Sequence, residues 1–342
     1  MITNSPMITN SPTIALDTRA TSHMSVGMLT YARAIAARVP LLAPDLSFAT
    51  FGSGDNFDLD EQLKMPLWIV RNRPRLVHFL CVYTPRVIPA PYIVTIHDLI
   101  DLHYPQFGKK KVGSYYQNVV VPVARGAACI IVDDEATIAD CERYLGVDPQ
   151  RVRVVPLGID DPPEAPRFTH PRPYLLYVGN RRQHKDLRTL YAAWRAMHTP
   201  RPIDLLLSGD ADADLHRREQ RDDGGEIVFL GERTDAELRA VYAGAVAYVH
   251  PALREGFGLP LLEAARSGTP VIAAETAIPR VLRPYVIGFG AGDADALRRE
   301  LNGAFQRPDV ARERANIAQE ATRELTWDRC AQRTIDVYRE LL

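Results

Sequence analysis

The sequence predicts an α/β chain in two domains, on three observations. The first is length: 342 residues exceed one typical domain and fit two. The second is a run at 161–173 that holds five prolines and little apolar patterning, which reads as an interdomain linker. The third is the stretch from Val246 to Ala274. Residues 246–249 are short, apolar and partly β-branched, as in a buried strand. A loop with two glycines follows, Gly256-Phe257-Gly258, and Pro260 suits the first position of a helix. Gly268 is the expected C-cap, Pro270 lies just beyond, and 271–274 starts the next strand. A strand, a glycine loop, a helix start and a parallel strand make one α/β repeat.

Composition narrows the class. Hydrophobic residues are 46% and charged residues 24%, ordinary for a globular chain. The net charge of -1 carries no nucleic-acid signature. Cys81, Cys129, Cys141 and Cys330 are scattered without a C-x-x-C pair, so neither zinc nor a disulfide framework is indicated. A reduced, cytoplasmic compartment is the expectation. No apolar run approaches the ~18 residues of a spanning helix. Residues 1–6 repeat as 7–12, without a basic or apolar region, and read as a disordered extension, a second start or a scar rather than a signal peptide.

In chain order, 13–17 is a first strand, and a polar loop leads through Gly27 into an amphipathic helix at 28–38. Residues 46–50 form a strand; Gly52 and Gly54 follow without a third glycine, so no dinucleotide fingerprint exists. A helix at 59–70 precedes Arg71, Arg73 and Arg75, read first as a solvated loop and second as a surface for anionic lipid or an anionic acceptor. Strands at 76–80 and 91–96 follow, the latter ending in His97-Asp98. Ligands of open α/β sheets sit at carboxyl ends of strands, so His97 is a candidate. A loop with Lys109, Lys110 and Lys111, a helix at 115–123, a strand at 127–132 ending in Asp133-Asp134, a helix at 138–145 capped by Gly146, and a strand from Arg151 complete the first domain.

The second domain opens with a strand ending at Gly179, then a basic loop with Arg181, Arg182 and Lys185, then a helix for which Asp186 is the expected N-cap. Strands at 203–208 and 227–231, ending at Gly231, and a helix at 235–242 lead to the central stretch. Asp210, Asp212 and Asp214 make a D-x-D pattern that could hold a divalent ion on a nucleotide. Helices at 294–305 and 311–322 follow, and Trp327 begins a last helix.

The central loop presents free N–H groups and a helix dipole, which suit a phosphate. Glu255 before it and Glu263 after it would repel an anion but accept hydroxyls. A cradle for an anion between two hydroxyl-binding carboxylates fits a sugar nucleotide. Taken singly, each glutamate would read as an acid complementing the helix dipole.

The pair Glu255 and Glu263, spaced E-x7-E around Gly256-Phe257-Gly258-Leu259-Pro260, resembles the signature of retaining GT-B glycosyltransferases of family 4. Gly179-Asn180 followed by His184-Lys185 and the turn Pro156-Leu157-Gly158-Ile159-Asp160 resemble that family too. The departures are one glycine, Gly27, where the family's first loop has more, Asp134 where a serine is common, Asp186 for an asparagine, and Pro279-Arg280 for Pro-Glu.

The resemblance implies two Rossmann-like domains facing across a cleft. An acceptor domain at 13–165 and a nucleotide-sugar domain at 166–326 follow from it, with a helix at 327–342 packing back on the first. It implies transfer of a hexose from a nucleotide-diphosphate sugar, GDP-mannose or UDP-glucose in type, with retention, to a hydroxyl of a saccharide or lipid-linked saccharide in surface polysaccharide synthesis. His97, Lys185 and Glu255 become the catalytic candidates. Gly27, Gly179, Arg181, Arg182, Gly231, Gly256, Phe257, Gly258, Leu259 and Glu263 become the donor-binding candidates, with Gly231 beside the base and Glu263 on the ribose. No cofactor is implied, because GT-B enzymes neutralise the diphosphate with Lys, Arg and amides, which weighs against a metal at the D-x-D. A peripheral contact at the inner membrane face is a further expectation. A non-catalytic sugar-nucleotide sensor and a GT-B phosphorylase or epimerase are the alternatives.

Overall fold

The computed structural model describes residues 13–21, 24–55, 58–106, 110–161, 168–212 and 221–342. The repeat at 1–12, the linker core at 162–167, Lys109 and Asp214 lie outside them. The chain divides into two compact units, 1–158 with 326–342, and 159–325. The division falls at Ile159, ahead of the proline run. Among the described residues no helix is long and apolar enough to cross a membrane.

The first unit is built on six parallel strands: β1 Ile14–Asp17, β2 Phe48–Phe51, β3 Leu76–Phe79, β4 Tyr92–Ile96, β5 Cys129–Val132 and β6 Val152–Val154. Their spatial order is β2-β1-β3-β4-β5-β6. β1, β3, β4 and β5 are buried throughout, as parallel strands covered on both faces must be, and this is why they read as apolar runs. The chain winds one way from β1 to β2 and the other way from β3 onward, so the order reverses between β1 and β3. The first helix, Val26–Leu42, starts earlier and ends later than its periodicity predicts. Ser25 caps it by accepting from Met28 N–H. The helix Trp327–Leu341 belongs to this unit.

The second unit repeats the plan with β7 Tyr174–Tyr177, β8 Asp204–Leu207, β9 Ile227–Phe229, β10 Ala247–His250, β11 Val271–Ala274 and β12 Ile287–Phe289. The order is β12-β11-β10-β7-β8-β9. β12 is an addition to the predicted elements: three residues with a central glycine leave no pattern to read. The reversal here lies between β7 and β10, which pair directly. In open α/β sheets that reversal opens a crevice at the carboxyl ends of the two strands. The loops after β7 and β10 are those that carry Lys185 and Glu255.

Candidate active site of the second unit

Lys185 lies at the end of a short 3-10 turn, Gln183–Lys185, after β7. Glu255 lies in the loop after β10. A backbone hydrogen bond from Leu253 N–H to His184 O (2.8 Å) laces the two loops together. The Lys185 ammonium donates to Glu255 Oε1, and both side chains are largely buried. Two candidates 70 positions apart thus form one ion pair.

The structure adds a third member. His250, the last residue of β10, is buried, with Nε2 3.1 Å from Glu255 Oε1, off the line of a well-formed hydrogen bond. Its Nδ1 lies 2.8 Å from the Tyr248 hydroxyl. Burial alone would raise the Glu255 pKa; the Lys185 charge and the His250 contact outweigh it and hold the carboxyl well below the usual range. Burial lowers the His250 pKa, so the ring is neutral at pH 7. Burial and the Lys185 charge lower His184 to about 4. The result is a buried carboxylate anion with a fixed ammonium beside it.

The glycines frame this pair. Gly258 has φ +75 and opens the helix Leu259–Arg266, with Pro260 in its first turn. The first N–H groups of that helix have no partner inside it. Phe257 is buried and anchors the loop. Gly256 and Leu259 are half-buried beside it. Gly268, at φ +68, follows the Ser267 C-cap. Gly179, at φ +147, donates its N–H to Ser208 Oγ (2.9 Å), tying the β7 end to the β8 end. Gly231, at φ +65, donates to Gly209 O (3.2 Å) beyond β9.

Other candidates stand elsewhere. Arg181 turns toward β8 and β9, donating to Asp210 O (2.7 Å) with its guanidinium 4.9 Å over the Phe229 ring. Arg182 is exposed. Glu263 accepts from the Tyr242 hydroxyl (3.1 Å), and burial raises its pKa. The expected cap at Asp186 is corrected: its backbone is left-handed (φ 46), and its carboxylate accepts from the Thr189 hydroxyl (2.6 Å) instead of a backbone N–H. A capping residue must be extended for its side chain to reach the helix amides, and this one is not. Among the described residues no cluster of three His, Cys, Asp or Glu is placed to hold a metal.

In the first unit His97 follows β4. Nδ1 lies 2.8 Å from Asp133 Oδ2 and Nε2 3.2 Å from Leu80 O. Both partners can accept, which favours a proton on each ring nitrogen. Burial opposes that charge, but Asp133 overcomes it and the pKa is raised. The Tyr31 ring meets the imidazole edge-on at 4.7 Å. Gly27 is the second residue of the helix that Ser25 caps.

Sequence reasoning missed a buried group at the strand reversal of this unit. Arg19 donates to Asp17 Oδ2 (2.8 Å), Glu61 Oε2 (3.1 Å) and Tyr83 O (2.9 Å). Burial works against the Arg19 charge, yet the two carboxylates hold its pKa above the ordinary value. Asp17 at a strand end was the available signal. For His250 the signal was the strand-end rule already applied to His97.

Comparison with known proteins extends the geometry. Residues 172–306 match the family described as "Glycosyl transferases group 1", and residues 29–163 match "Glycosyltransferase Family 4". The chain is 28% identical over 272 residues to O-antigen chain mannosyltransferase B of Escherichia coli, covering 73% of this chain and 70% of that one. It is 27% identical over 229 residues to the MMP alpha-(1->4)-mannosyltransferase of Mycolicibacterium hassiacum, covering 64% and 56%. It is 38% identical over 141 residues to a phosphatidyl-myo-inositol mannosyltransferase of Mycobacterium leprae, covering 40% and 37%. The matched stretch is thus less than two thirds of the latter two relatives. Sucrose-phosphate synthase from Thermosynechococcus elongatus shares the fold at a TM-score of 0.71, with 20% identity over 96% of this chain and 98% of that one. Anabaena HepE in complex with UDP-glucose does so at 0.70, with 16% identity over 96% and 99%.

Proposed function

We propose, for a chain that belongs to the group 1, family 4 glycosyltransferases, that its second unit binds a nucleotide-diphosphate hexose and transfers the sugar with retention. The enzyme class is a hexosyltransferase on the GT-B fold. The observation that carries the donor site is the buried Lys185–Glu255 pair at the β7/β10 reversal, beside the helix opened by Gly258.

The chemistry follows from charge. Cleavage of the sugar–phosphate bond leaves a diphosphate with growing negative charge. The Lys185 ammonium and the amides of 256–259 meet that charge in fixed positions, so no reorganisation accompanies the reaction. Glu255 is anionic at neutral pH and accepts sugar hydroxyls. Glu263 holds the ribose. The acceptor hydroxyl attacks the anomeric carbon from the face the diphosphate leaves, and its proton passes to a phosphate oxygen. The C–O bond to the acceptor forms as the bond to phosphate breaks, and configuration is retained without a protein nucleophile. No metal takes part in this reading.

Mannose is the favoured sugar, because mannosyltransferases recur among the relatives. The acceptor is a saccharide, lipid-linked, in surface polysaccharide synthesis; the O-antigen relative supports it.

The test is calorimetry of UDP, GDP, ADP and dTDP, without and with EDTA. Binding of one diphosphate, unchanged by EDTA, is expected and names the base. Lys185→Ala and Glu255→Ala should each lower kcat/KM by about 2–4 kcal/mol. Near-normal turnover in either variant would overturn the assignment.

A further inference from the structure

We propose that Arg266 is a positioning residue that couples the donor site to the two places where the chain passes from one unit to the other. Those passages fall at 158/159 and 325/326. They are joined by a hydrogen bond from Ile159 N–H to Leu325 O (3.1 Å). Arg266 is the last residue of the helix Leu259–Arg266, whose first turn follows Gly258. Its one guanidinium reaches both passages. Nη1 pairs with Asp161 Oδ1 (2.7 Å), and Nη2 donates to Thr322 O (2.5 Å) and Leu325 O (3.2 Å). Gln319 Nε2 donates in turn to Arg266 O (2.9 Å). All of these groups belong to the second unit.

Packing alone does not call for an arginine here. Its side chain is 4% exposed, whereas that of Asp161 is 72% exposed. A buried ion pair is often replaced by apolar side chains at no loss of stability. What an apolar side chain cannot do is hold three acceptors at once in a set geometry, as the guanidinium fork does. Thr322 ends the helix Pro308–Thr322, so the guanidinium also meets the negative end of that helix dipole. A second cation follows the same route. Arg239 Nη2 donates to Asp160 O (3.3 Å); burial lowers the Arg239 pKa, and the Asp161 and Glu263 carboxylates oppose that fall. The helix 259–266 is a rod roughly 12 Å long. Its first end carries the amides proposed for the diphosphate, and its last residue is Arg266. An anion that draws on the first end displaces the second, and Arg266 carries the displacement into 159–161 and 322–325. By linkage, order in those segments favours the anion in return. The inference rests on the donor reading above.

The test is amide hydrogen exchange of the full chain, read at Ile159 and Leu325, with and without whichever of UDP, GDP, ADP and dTDP binds by calorimetry. Binding should slow exchange at both amides about fivefold or more. Arg266→Met should still bind the diphosphate and be protected at 256–259, yet lose the protection at 159 and 325. It should fold, because Asp161 is solvated, Leu325 O keeps the Ile159 N–H, and Thr322 O keeps the Leu325 N–H (2.9 Å). Arg266→Lys, which retains the charge without the fork, should restore part of the protection. Diphosphate binding by the parent without slower exchange at 159 and 325 would overturn this proposal and leave the donor reading standing, and that result needs no variant. Equal protection in Arg266→Met would do the same. Binding of none of the four diphosphates would overturn both.

Discussion

Burial pushes three histidines toward the neutral form, and only at His97 do the partners outweigh it. His97 faces two acceptors, which favour its charged form and raise its pKa. His78 faces the hydroxyls of Tyr338 (2.6 Å) and Thr95 (2.9 Å), which can each donate or accept, and is neutral. His250 faces a hydroxyl and a carboxylate, but burial, helped by the Lys185 charge, outweighs the carboxylate and keeps it neutral. At the residue scale the test is His250→Leu, read against His250→Gln. Loss of the polar neighbour of Glu255 should lower kcat/KM severalfold, since a polar contact to a charged group contributes on the order of 1 kcal/mol. The Glu255 pKa then rises, so the acid limb of the pH–rate profile should move to higher pH. Glutamine can still donate and should restore most of the rate. Equal loss in both variants, without a moved limb, would make His250 a packing residue only. Lys185 and Glu255 were legible because each sits in a motif. Their mutual contact was not, because it depends on β7 and β10 being neighbours, which no local spacing reveals. His250, the residue after the strand read at 246–249, was not singled out.

At the scale of elements, buried parallel strands were the most readable parts, since both faces demand apolar side chains. Helix ends and π-helical stretches were not, because they follow from packing rather than from periodicity. Asp186 shows the limit: residue type suggested a cap, and the backbone made a left-handed turn. Gly258 shows the opposite case, a glycine required twice over. Its φ is +75, and a Cβ there would lie 2.7 Å from Leu261 Cδ1. Gly258→Ala should destabilise the second unit by about 1–2 kcal/mol and weaken nucleotide-diphosphate binding by shifting the helix start. Gly231→Ala is the control: its φ is +65, but nothing lies within 4 Å of the added Cβ. It should show the backbone cost of roughly 1 kcal/mol without the steric one. Urea unfolding of the two variants separates the contributions. Equal stability would mean that Leu261 moves aside at no cost.

At the scale of the whole chain, the helix Trp327–Leu341 returns to the first unit after the second is complete. No local pattern marks that return; it was expected from the family resemblance alone. Its anchor is a buried polar chain. The Tyr31 hydroxyl meets Thr95 Oγ1 (3.0 Å), Thr95 meets His78, and His78 meets Tyr338 in the returning helix. Each group is satisfied while His78 is neutral, and burial, with a smaller push from His97, lowers its pKa to about 3. An unfolded histidine titrates near ~6.5. Between these values the unfolded chain binds a proton that the folded one refuses. Stability from this site is therefore complete above about pH 6.5 and falls as pH drops toward 3, at about 1.4 kcal/mol per unit. His97, whose pKa is raised, works in the other direction, its contribution being complete at low pH and lost as pH rises through that elevated pKa. The net slope must therefore be read as a difference between proteins. Unfolding of the parent and of His78→Gln, followed from pH 7 to pH 5, isolates the term. The parent should lose ~2 kcal/mol more than the variant over that range. Parallel pH dependence would mean that His78 already carries a proton in the fold, and that a carboxylate or water, rather than two hydroxyls, holds the returning helix.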